Sequence, residues 1–396
     1  MRILIVTTNK FPQGDAGAVR EESFAKLFCL LGHEVCVVGL GESTSFNSVN
    51  YKGFSYYSLK SKGRNLISRL LNLLLFTSRL RHFVLRKEEQ FDVVFVSEIS
   101  IRTIKWLKEQ AKKSCFSLMH DSVEWYSPEQ FINGDRARAY KDKEKLNSSI
   151  IDDNFKVVAI SSFLEKHFLD KGIKTVRIPV ILDVEEILCI KTKSEDRTVF
   201  LYAGMPGKKD YLAEIVSSFS LLNDNEKKCC EFRILGITED QLYNDCGVNI
   251  DLRNSLSGLI KCFGRQPRQE VLKQLSQADY TLLLRNPNLR YSKAGFPTKF
   301  SESMATGTPV ISNLTSDLKF YLNDGKNGFV CKSCSPEDMC KCIRKAISLS
   351  LHERLEMDGN ARRTAEEFFD YRKYKKQIEM LLGRECRGTD VYESTS

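Results

Sequence analysis

A polar stretch between two apolar runs carries the residues best suited to bind a phosphorylated ligand. Residues 282–313 read LLLRNPNLRYSKAGFPTKFSESMATGTPVISN, which predicts a strand, a basic loop, a helix and a second strand. Pro297 suits the first position of that helix, and Gly307 suits the residue past its end. The loop therefore delivers Gly295 and Phe296 to a helix N-terminus, where free amides and the helix dipole favour phosphate.

Four side chains around this N-terminus have the chemistry to bind a nucleotide. Glu302 lies about one turn into the predicted helix, and its two carboxylate oxygens match the adjacent hydroxyls of a ribose. Thr298 and Lys299 are placed to contact phosphates, by hydroxyl or amide and by charge. Arg285 ends an apolar strand and could hold a phosphate with two parallel hydrogen bonds. We therefore expect a nucleotide site centred on these residues.

Strands and helices alternate along the chain, and their order predicts where this site lies. The run at 2–8, a helix near 23–31 and the strand at 34–39 form a βαβ unit, with Gly17 in the loop that turns towards the helix. The same alternation restarts near residue 190. We predict an α/β fold of two Rossmann-like, doubly wound domains facing across a cleft, because ligands bind at the carboxyl ends of such strands.

The segment GFPTKFSESMATGTPV resembles the donor-site motif of GT-B glycosyltransferases of family 4, above all those of bacterial polysaccharide assembly. Four further segments resemble that family in the same order, at 162–183, 202–210 (YAGMPGKKD), 263–284 (FGRQPRQEVLKQLSQADYTLLL) and 323–330 (NDGKNGFV). The resemblance extends over nearly the whole chain. It implies the GT-B architecture and a retaining, metal-independent enzyme that uses a UDP- or GDP-linked sugar.

The resemblance also implies a division of labour between the two predicted domains. Residues 1–185 would form the N-terminal, acceptor-binding domain, and residues 186–365 the C-terminal, donor-binding domain. The helices at about 366–386 would pack back on the first domain, as they do in related enzymes. The last residues, 387–396, are expected to form a flexible tail.

The same resemblance assigns roles to single residues. After the turn at Gly204, Lys208 or Lys209 would neutralise the departing diphosphate, on which negative charge grows in the transition state. Related enzymes have a histidine near the position of His120, and its imidazole contacts the donor sugar. We therefore treat His120, Lys209 and Arg285 as the candidate catalytic residues.

Two carboxylates follow His120 in the sequence HDSVEWY. Asp121 and Glu124 are able to approach an acceptor hydroxyl, and either is a candidate general base. In retaining enzymes of this fold the leaving phosphate can itself take the acceptor proton. We therefore name no protein nucleophile.

One position departs from the family's pattern. The family usually has two glutamates separated by seven residues, and Glu302 matches the second of them. Ala294 stands where the first would fall. The missing carboxylate normally sits near the hydroxyls of the donor sugar, and Lys293 or Arg290 could occupy its space.

Residues 60–87 combine basic and strongly apolar character and contain no acid. This pattern predicts an amphipathic helix whose apolar face enters an anionic membrane interface. The candidate membrane-facing residues are Leu70, Leu73, Leu74, Phe76, Arg79 and Arg81. The alternative is a core helix of the first domain that exposes its arginines.

Charge and composition limit the possible partners. The formal charge of +9 favours anionic partners. Nucleic acid is not expected, because the basic cluster is rich in leucine and lacks interleaved stacking aromatics. The start MRILIVTT predicts a strand rather than a signal peptide, and no apolar run reaches the roughly 18 residues of a membrane span. Cys331 and Cys334 fit no common zinc spacing, so no metal site is expected there. The family resemblance likewise implies neither a metal nor a cofactor, with the nucleotide sugar as co-substrate.

These patterns together favour a hexosyltransferase, cytoplasmic and peripheral at the inner face of the cell membrane. It would move a sugar from a nucleotide-diphosphate donor to a glycan or polyprenyl-linked acceptor, in synthesis of a capsule or other surface polysaccharide. A nucleotide-sugar epimerase of the same fold is the first alternative, and it would act without an acceptor. The second alternative is a non-catalytic subunit that binds the nucleotide sugar and activates a partner.

Overall fold

The computed structural model describes residues 1–12, 16–41, 49–60, 66–86, 90–189 and 197–383. Within these residues, two sheets form the centres of two α/β domains. The predicted tail at 387–396 and the restart near residue 190 lie outside the described residues.

The two domains are built from alternating strands and helices. The first contains β1 (Arg2–Thr7), α1 (Ala16–Leu30), β2 (Glu34–Gly39), β3 (Val49–Tyr51), β4 (Phe54–Ser58), α2 (Leu66–Arg86), β5 (Val93–Ser97), α3 (Ile101–Ser114), β6 (Ser117–Ser122), α4 (Arg138–Lys145), β7 (Phe155–Ala159), α5 (Ser162–Asp170) and β8 (Thr175–Arg177). The second contains β9 (Thr198–Ala203), α6 (Leu212–Ser220), α7 (Asp224–Lys228), β10 (Cys230–Leu235), α8 (Glu239–Asp245), α9 (Leu252–Ser255), β11 (Ile260–Cys262), α10 (Arg268–Gln277), β12 (Tyr280–Leu283), α11 (Arg290–Ala294), α12 (Thr298–Ala305), β13 (Val310–Asn313), β14 (Gly328–Cys331), α13 (Pro336–Ser348) and α14 (Leu351–Phe368). Helix α15 (Lys375–Leu382) follows.

The first sheet has the order β3-β4-β2-β1-β5-β6-β7-β8, and the second has the order β11-β10-β9-β12-β13-β14. In the described residues neighbouring strands run parallel, apart from β3, which pairs antiparallel with β4 at the sheet edge. The alternation of strands and helices did not predict this edge at 49–58. The predicted fold of two Rossmann-like domains is confirmed.

Each sheet has a crevice where the connections from neighbouring strands diverge. In the first sheet β1 lies between β2 and β5, and in the second β9 lies between β10 and β12. In doubly wound folds such a crevice, at the carboxyl ends of the strands, is where ligands bind. Residues that follow β1, β5, β9 and β12 line one shared cavity, so the two crevices face each other.

The end of the described chain packs on the first domain. Ile378 and Leu381 of α15 belong to the same buried cluster as Ile3 and Ile5 of β1. Leu182 and Asp370 form a parallel β-bridge. The segments that lead into and out of the second domain therefore run side by side.

Two helix starts differ from expectation. Helix α1 begins at Ala16, so Gly17 lies in its first turn and not in a loop. A Cβ at Gly17 would come within 2.3 Å of Asn9 Nδ2, so the glycine lets the helix approach the end of β1 closely. Pro297 is the N-cap of α12 rather than its first helical residue.

Candidate active site

A cavity of about 500 Å³ lies in the cleft at the carboxyl ends of both sheets. Its first-domain wall includes Gly17, Arg20, Glu98 and Glu124. Its second-domain wall includes Gly204, Lys209, Arg285, Gly295, Phe296, Pro297, Thr298, Lys299 and Glu302. Most of the predicted site residues therefore meet in one cavity, whereas Lys208, His120 and Asp121 do not line it.

A buried carboxylate holds the cations of the second-domain wall together. The Oδ1 atom of Asp210 accepts a hydrogen bond from Arg285 Nε at 2.7 Å. Its Oδ2 atom accepts from the Tyr202 hydroxyl at 2.8 Å and from Lys299 Nζ. Burial alone would raise the pKa of Asp210, but the charges of Arg285 and Lys299 outweigh burial and hold that pKa well below its usual value. Two cations share one carboxylate, so this cluster carries a net positive charge at the cavity wall.

Gly204 makes room for Lys299 beside the start of helix α12. Its φ of 122° lies in the region that favours glycine, and a Cβ there would come within 2.8 Å of Lys299 Cε. Helix α12 has no side-chain cap at Pro297, and the first amides of any helix lack partners within it. The wall therefore presents a helix N-terminus together with the ammonium of Lys299, which is an arrangement suited to an anion.

Glu302 lies one turn further along α12. Its Oε1 atom accepts a hydrogen bond from Nη2 of Arg268 at 3.1 Å, and Arg268 is the first residue of α10. Burial raises the pKa of Glu302, against the opposing charge of Arg268. The carboxylate borders the cavity, beyond the point where a diphosphate would meet the helix N-terminus, which suits a ribose contact.

The two lysines of the turn after β9 differ in position. Lys209 lines the cavity, and its Nζ contacts the carboxylate of Glu124 across the cleft. Lys208 is exposed and lies outside the cavity wall. Gly207, with a φ of 52°, bends the chain just before the pair. The structure therefore places Lys209, but not Lys208, at the predicted donor site.

His120 and Asp121 lie on β6 and are buried beneath the cavity wall. Asp121 accepts hydrogen bonds from Arg20 Nε and Nη2, both at 2.8 Å, so its charge is already paired. Burial lowers the pKa of His120 to about 3, so its imidazole is neutral. Both side chains pack inside the first domain, so the structure does not bring these two residues to the predicted ligand site. Of the predicted acceptor-side carboxylates, Glu124 lines the cavity.

The position of the missing glutamate lies in a contact between the domains. The Ala294 carbonyl accepts a hydrogen bond from Ser161 Oγ at 2.6 Å. Neither predicted substitute for the carboxylate lines the cavity. Lys293 is exposed, and the Arg290 guanidinium lies 4.7 Å from the ring centre of Trp125. The segment before α12 thus ties the second-domain wall to the first domain.

Sequence reasoning missed four residues at the cavity or next to it: Arg20, Glu98, Asp210 and Arg268. Glu98 follows β5 with a positive φ of 49°, and its carboxylate pairs with Lys143 Nζ at 3.2 Å. Strain of this kind is common at functional sites. The acid at the end of FDVVFVSE was a usable signal, whereas Arg20 and Arg268 stand in helical patterns where an arginine is ordinarily solvated.

Helix α2 exposes a row of leucines. The exposed fractions are 59% for Leu70, 53% for Leu73 and 58% for Leu74. Phe76 is buried, and Arg79 Nη1 donates to the Leu59 carbonyl at 2.8 Å, so these two predicted membrane contacts are corrected. Arg81 lies over the Trp106 ring, with 5.5 Å from its guanidinium carbon to the ring centre. No helix in the described part of the chain is both long and apolar enough to cross a bilayer.

Solved structures share this architecture over almost the whole chain. Sucrose-phosphate synthase from Thermosynechococcus elongatus is 14% identical, with a TM-score of 0.72, and the match covers 97% of this chain and 98% of that one. Anabaena HepE in complex with UDP and glucose is 13% identical, with a TM-score of 0.67 and coverage of 97% and 100%. WaaG, a glycosyltransferase involved in lipopolysaccharide biosynthesis, is 14% identical, with a TM-score of 0.66 and coverage of 96% and 100%.

The sequence comparison is confined to the second domain. No curated protein sequence matches the chain. Residues 183–364 match the family model described as glycosyl transferases group 1, and this range contains the Asp210 cluster, helix α12 and Glu302. The chain thus has the GT-B fold, and its residues 183–364 are similar in sequence to the group 1 glycosyl transferases.

Proposed function

We propose that this chain is a retaining glycosyltransferase that moves a hexose from a nucleotide-diphosphate donor to a glycan or polyprenyl-linked acceptor. One observation carries the proposal. The Asp210 cluster, the uncapped start of α12 and Glu302 border the same cavity, in the order that phosphates and ribose follow in a nucleotide sugar. HepE, whose fold is similar, binds UDP and glucose, which supports a donor of this class.

In the proposed reaction the bond between the sugar C1 and the phosphate oxygen breaks, and the acceptor oxygen bonds to C1. Negative charge grows on the leaving diphosphate, where Lys299, Arg285 and Lys209 stabilise it. The leaving phosphate oxygen takes the acceptor proton on the same face of the sugar, which retains the configuration at C1. In this scheme fixed side-chain cations replace a metal ion as the partner of the diphosphate.

The exposed leucines of α2 support a place for the enzyme on the inner face of the cell membrane. Flanking basic residues suit an anionic leaflet, and a polyprenyl-linked acceptor of surface polysaccharide has to be met at a bilayer. Replacing Leu73 and Leu74 with serine should weaken binding to anionic liposomes. Serine at the exposed Leu169 and Leu188 is the matched control. Equal binding by both variants would remove the membrane from the proposal.

Ligand stabilisation tests the donor class directly. We expect UDP or GDP, and the corresponding nucleotide sugars, to raise the melting temperature in a panel that also contains ADP and free nucleosides. Product analysis then follows with and without a glycan acceptor. Transfer only in the presence of acceptor supports the proposal, an isomerised or hydrolysed donor without acceptor supports an epimerase, and tight binding without turnover supports a non-catalytic subunit.

A further inference from the structure

An ion pair joins the two walls of the cavity. Lys209 belongs to the turn after β9 in the second domain, and Glu124 follows β6 in the first. The Lys209 ammonium contacts the Oε1 atom of Glu124, and both side chains line the cavity. They retain 35% and 21% of their exposure, so a ligand in the cavity can reach either partner.

Neighbouring groups hold this pair in place. The Tyr291 hydroxyl donates to the Lys209 carbonyl at 2.9 Å, which fixes the backbone of the turn. The Lys209 ammonium also lies 5.7 Å from the ring centre of Tyr126. Burial and the nearby Glu124 and Glu98 carboxylates raise the pKa of Tyr126, so its hydroxyl stays protonated. The fixed backbone and the aromatic ring therefore keep the Lys209 ammonium at Glu124.

A carboxylate and a diphosphate compete for the same ammonium. Lys209 is the cation of the glycine turn, next in sequence to Asp210, whose carboxylate holds Arg285 and Lys299. A diphosphate at the start of α12 carries more charge than a carboxylate and attracts Lys209 more strongly. Glu124 must then give up its ion pair with Lys209.

We propose that Glu124 occupies the place of a donor phosphate on Lys209 in the ligand-free protein, and that diphosphate binding releases this carboxylate to the acceptor. The proposal rests on the proposed function, because it requires a nucleotide-diphosphate donor. Before the donor binds, Lys209 neutralises the acceptor-side carboxylate. After it binds, the free carboxylate is available to accept a hydrogen bond from the incoming hydroxyl. Donor binding therefore precedes productive acceptor binding.

Calorimetric titration with UDP, GDP, uridine and guanosine tests this competition. Glu124→Gln removes the competing charge, and it should tighten binding of the preferred diphosphate by about threefold to fivefold at low salt. Binding of the nucleosides, which lack phosphates, should not change. Glu129→Gln makes the same charge change at an exposed residue five positions away and should leave both affinities as they are.

A second substitution separates the competition from a general charge effect. In a Lys209→Met background, Glu124→Gln should no longer change diphosphate affinity. In turnover assays, Glu124→Gln should lower the donor KM and also lower kcat. Unchanged or weaker diphosphate binding by Glu124→Gln, with normal binding by the unmodified protein, overturns this inference and leaves the proposed function intact. No diphosphate binding by the unmodified protein overturns both.

Discussion

The two walls of the cavity use buried ion pairs in different ways. On the second-domain wall, Asp210 holds Arg285 and Lys299 at the cavity surface, where both cations border the space for a ligand. In the first domain Asp121 lies behind the cavity wall and pairs with Arg20, which lines the cavity, and the two side chains are only 0% and 4% exposed. The carboxylate of the second domain therefore holds two partly exposed cations at the cavity, whereas the carboxylate of the first domain pairs with a single, almost fully buried arginine.

This difference shows where specificity can vary. Every nucleotide-diphosphate sugar contains the same diphosphate, and a buried, rigid cluster of cations binds it with little reorganisation. Acceptors differ in shape and linkage, and Glu124, the carboxylate proposed to face them, stands on the connection after β6. Loops on a rigid scaffold are where such variation is tolerated.

The largest expected effect is on stability, and it concerns the buried Asp121–Arg20 pair of the first domain. Asp121→Asn leaves Arg20 buried without its charged partner, so we expect the free energy of unfolding to fall by about 3–5 kcal/mol. Urea denaturation measures this change. Asp142→Asn is the control, because it breaks the exposed Arg138–Asp142 pair and should cost less than about 1 kcal/mol. Similar losses for both variants would refute a packing role for the Asp121 pair.

The second-domain wall should respond mainly in activity. Lys299→Met removes a cation that faces the ligand, so kcat/KM for the donor should fall about 100-fold while the far-ultraviolet spectrum stays unchanged. Lys208→Met removes an exposed lysine from the turn after β9, and it should leave kcat/KM within about twofold of that of the unmodified protein. Equal losses at the two positions would show that net charge, and not the geometry of the cluster, binds the donor.

Glu302 should have a smaller and more selective effect. Glu302→Gln removes a charged acceptor for the ribose hydroxyls, so binding of UDP or GDP should weaken about tenfold. The 2′-deoxy nucleotide provides the specific test, because it lacks one of these hydroxyls. The unmodified protein should prefer the ribonucleotide, and the variant should bind both equally. A preference that survives the substitution would place the ribose elsewhere.

The smallest effect concerns pH and the core of the first domain. Burial raises the pKa of Glu21 from 4.5 to about 8, although hydrogen bonds from Thr7 and Asn9 oppose this. Between pH 4.5 and 8 the folded protein therefore keeps the Glu21 proton, whereas the unfolded chain has released it. The free energy of unfolding falls as pH rises through that window, by at most about 1.4 kcal/mol per pH unit.

The isosteric Glu21→Gln variant tests this directly. It cannot lose the proton, so its free energy of unfolding should depend less on pH between 6 and 7.5 than that of the unmodified protein. Denaturant titrations at four pH values measure both slopes. Parallel slopes would mean that Glu21 is ionised in the folded state.

Much of the fold could be predicted from sequence, because buried parallel strands leave clear signals. Apolar runs such as RILIVT, separated by helical stretches, predict two doubly wound domains, and both sheets are present. The edge strands β3 and β4 at 49–58 were not predicted, because they are short and do not follow the alternation of strand and helix seen in the rest of the chain. Gly17 was placed in a loop because glycine is unfavourable within a helix, so the helix was predicted to begin near residue 23 rather than at Ala16.

The donor side of the site was more predictable than the acceptor side for a physical reason. Gly295 to Glu302 are local in sequence, so helix geometry alone brings them together at one end of α12. His120 and Asp121 do not line the cavity as predicted, because the direction of a strand residue depends on packing that the sequence does not display. Arg20 and Asp121 are 101 residues apart, and no local pattern connects them.

A crystal structure of the protein with UDP or GDP tests the central claim most directly. The pyrophosphate should lie within hydrogen-bonding distance of Lys299 Nζ and the first amides of α12, with the ribose hydroxyls on the Glu302 carboxylate. A nucleotide bound outside this cavity, or one whose phosphates point away from α12, would contradict the assignment of the second-domain wall.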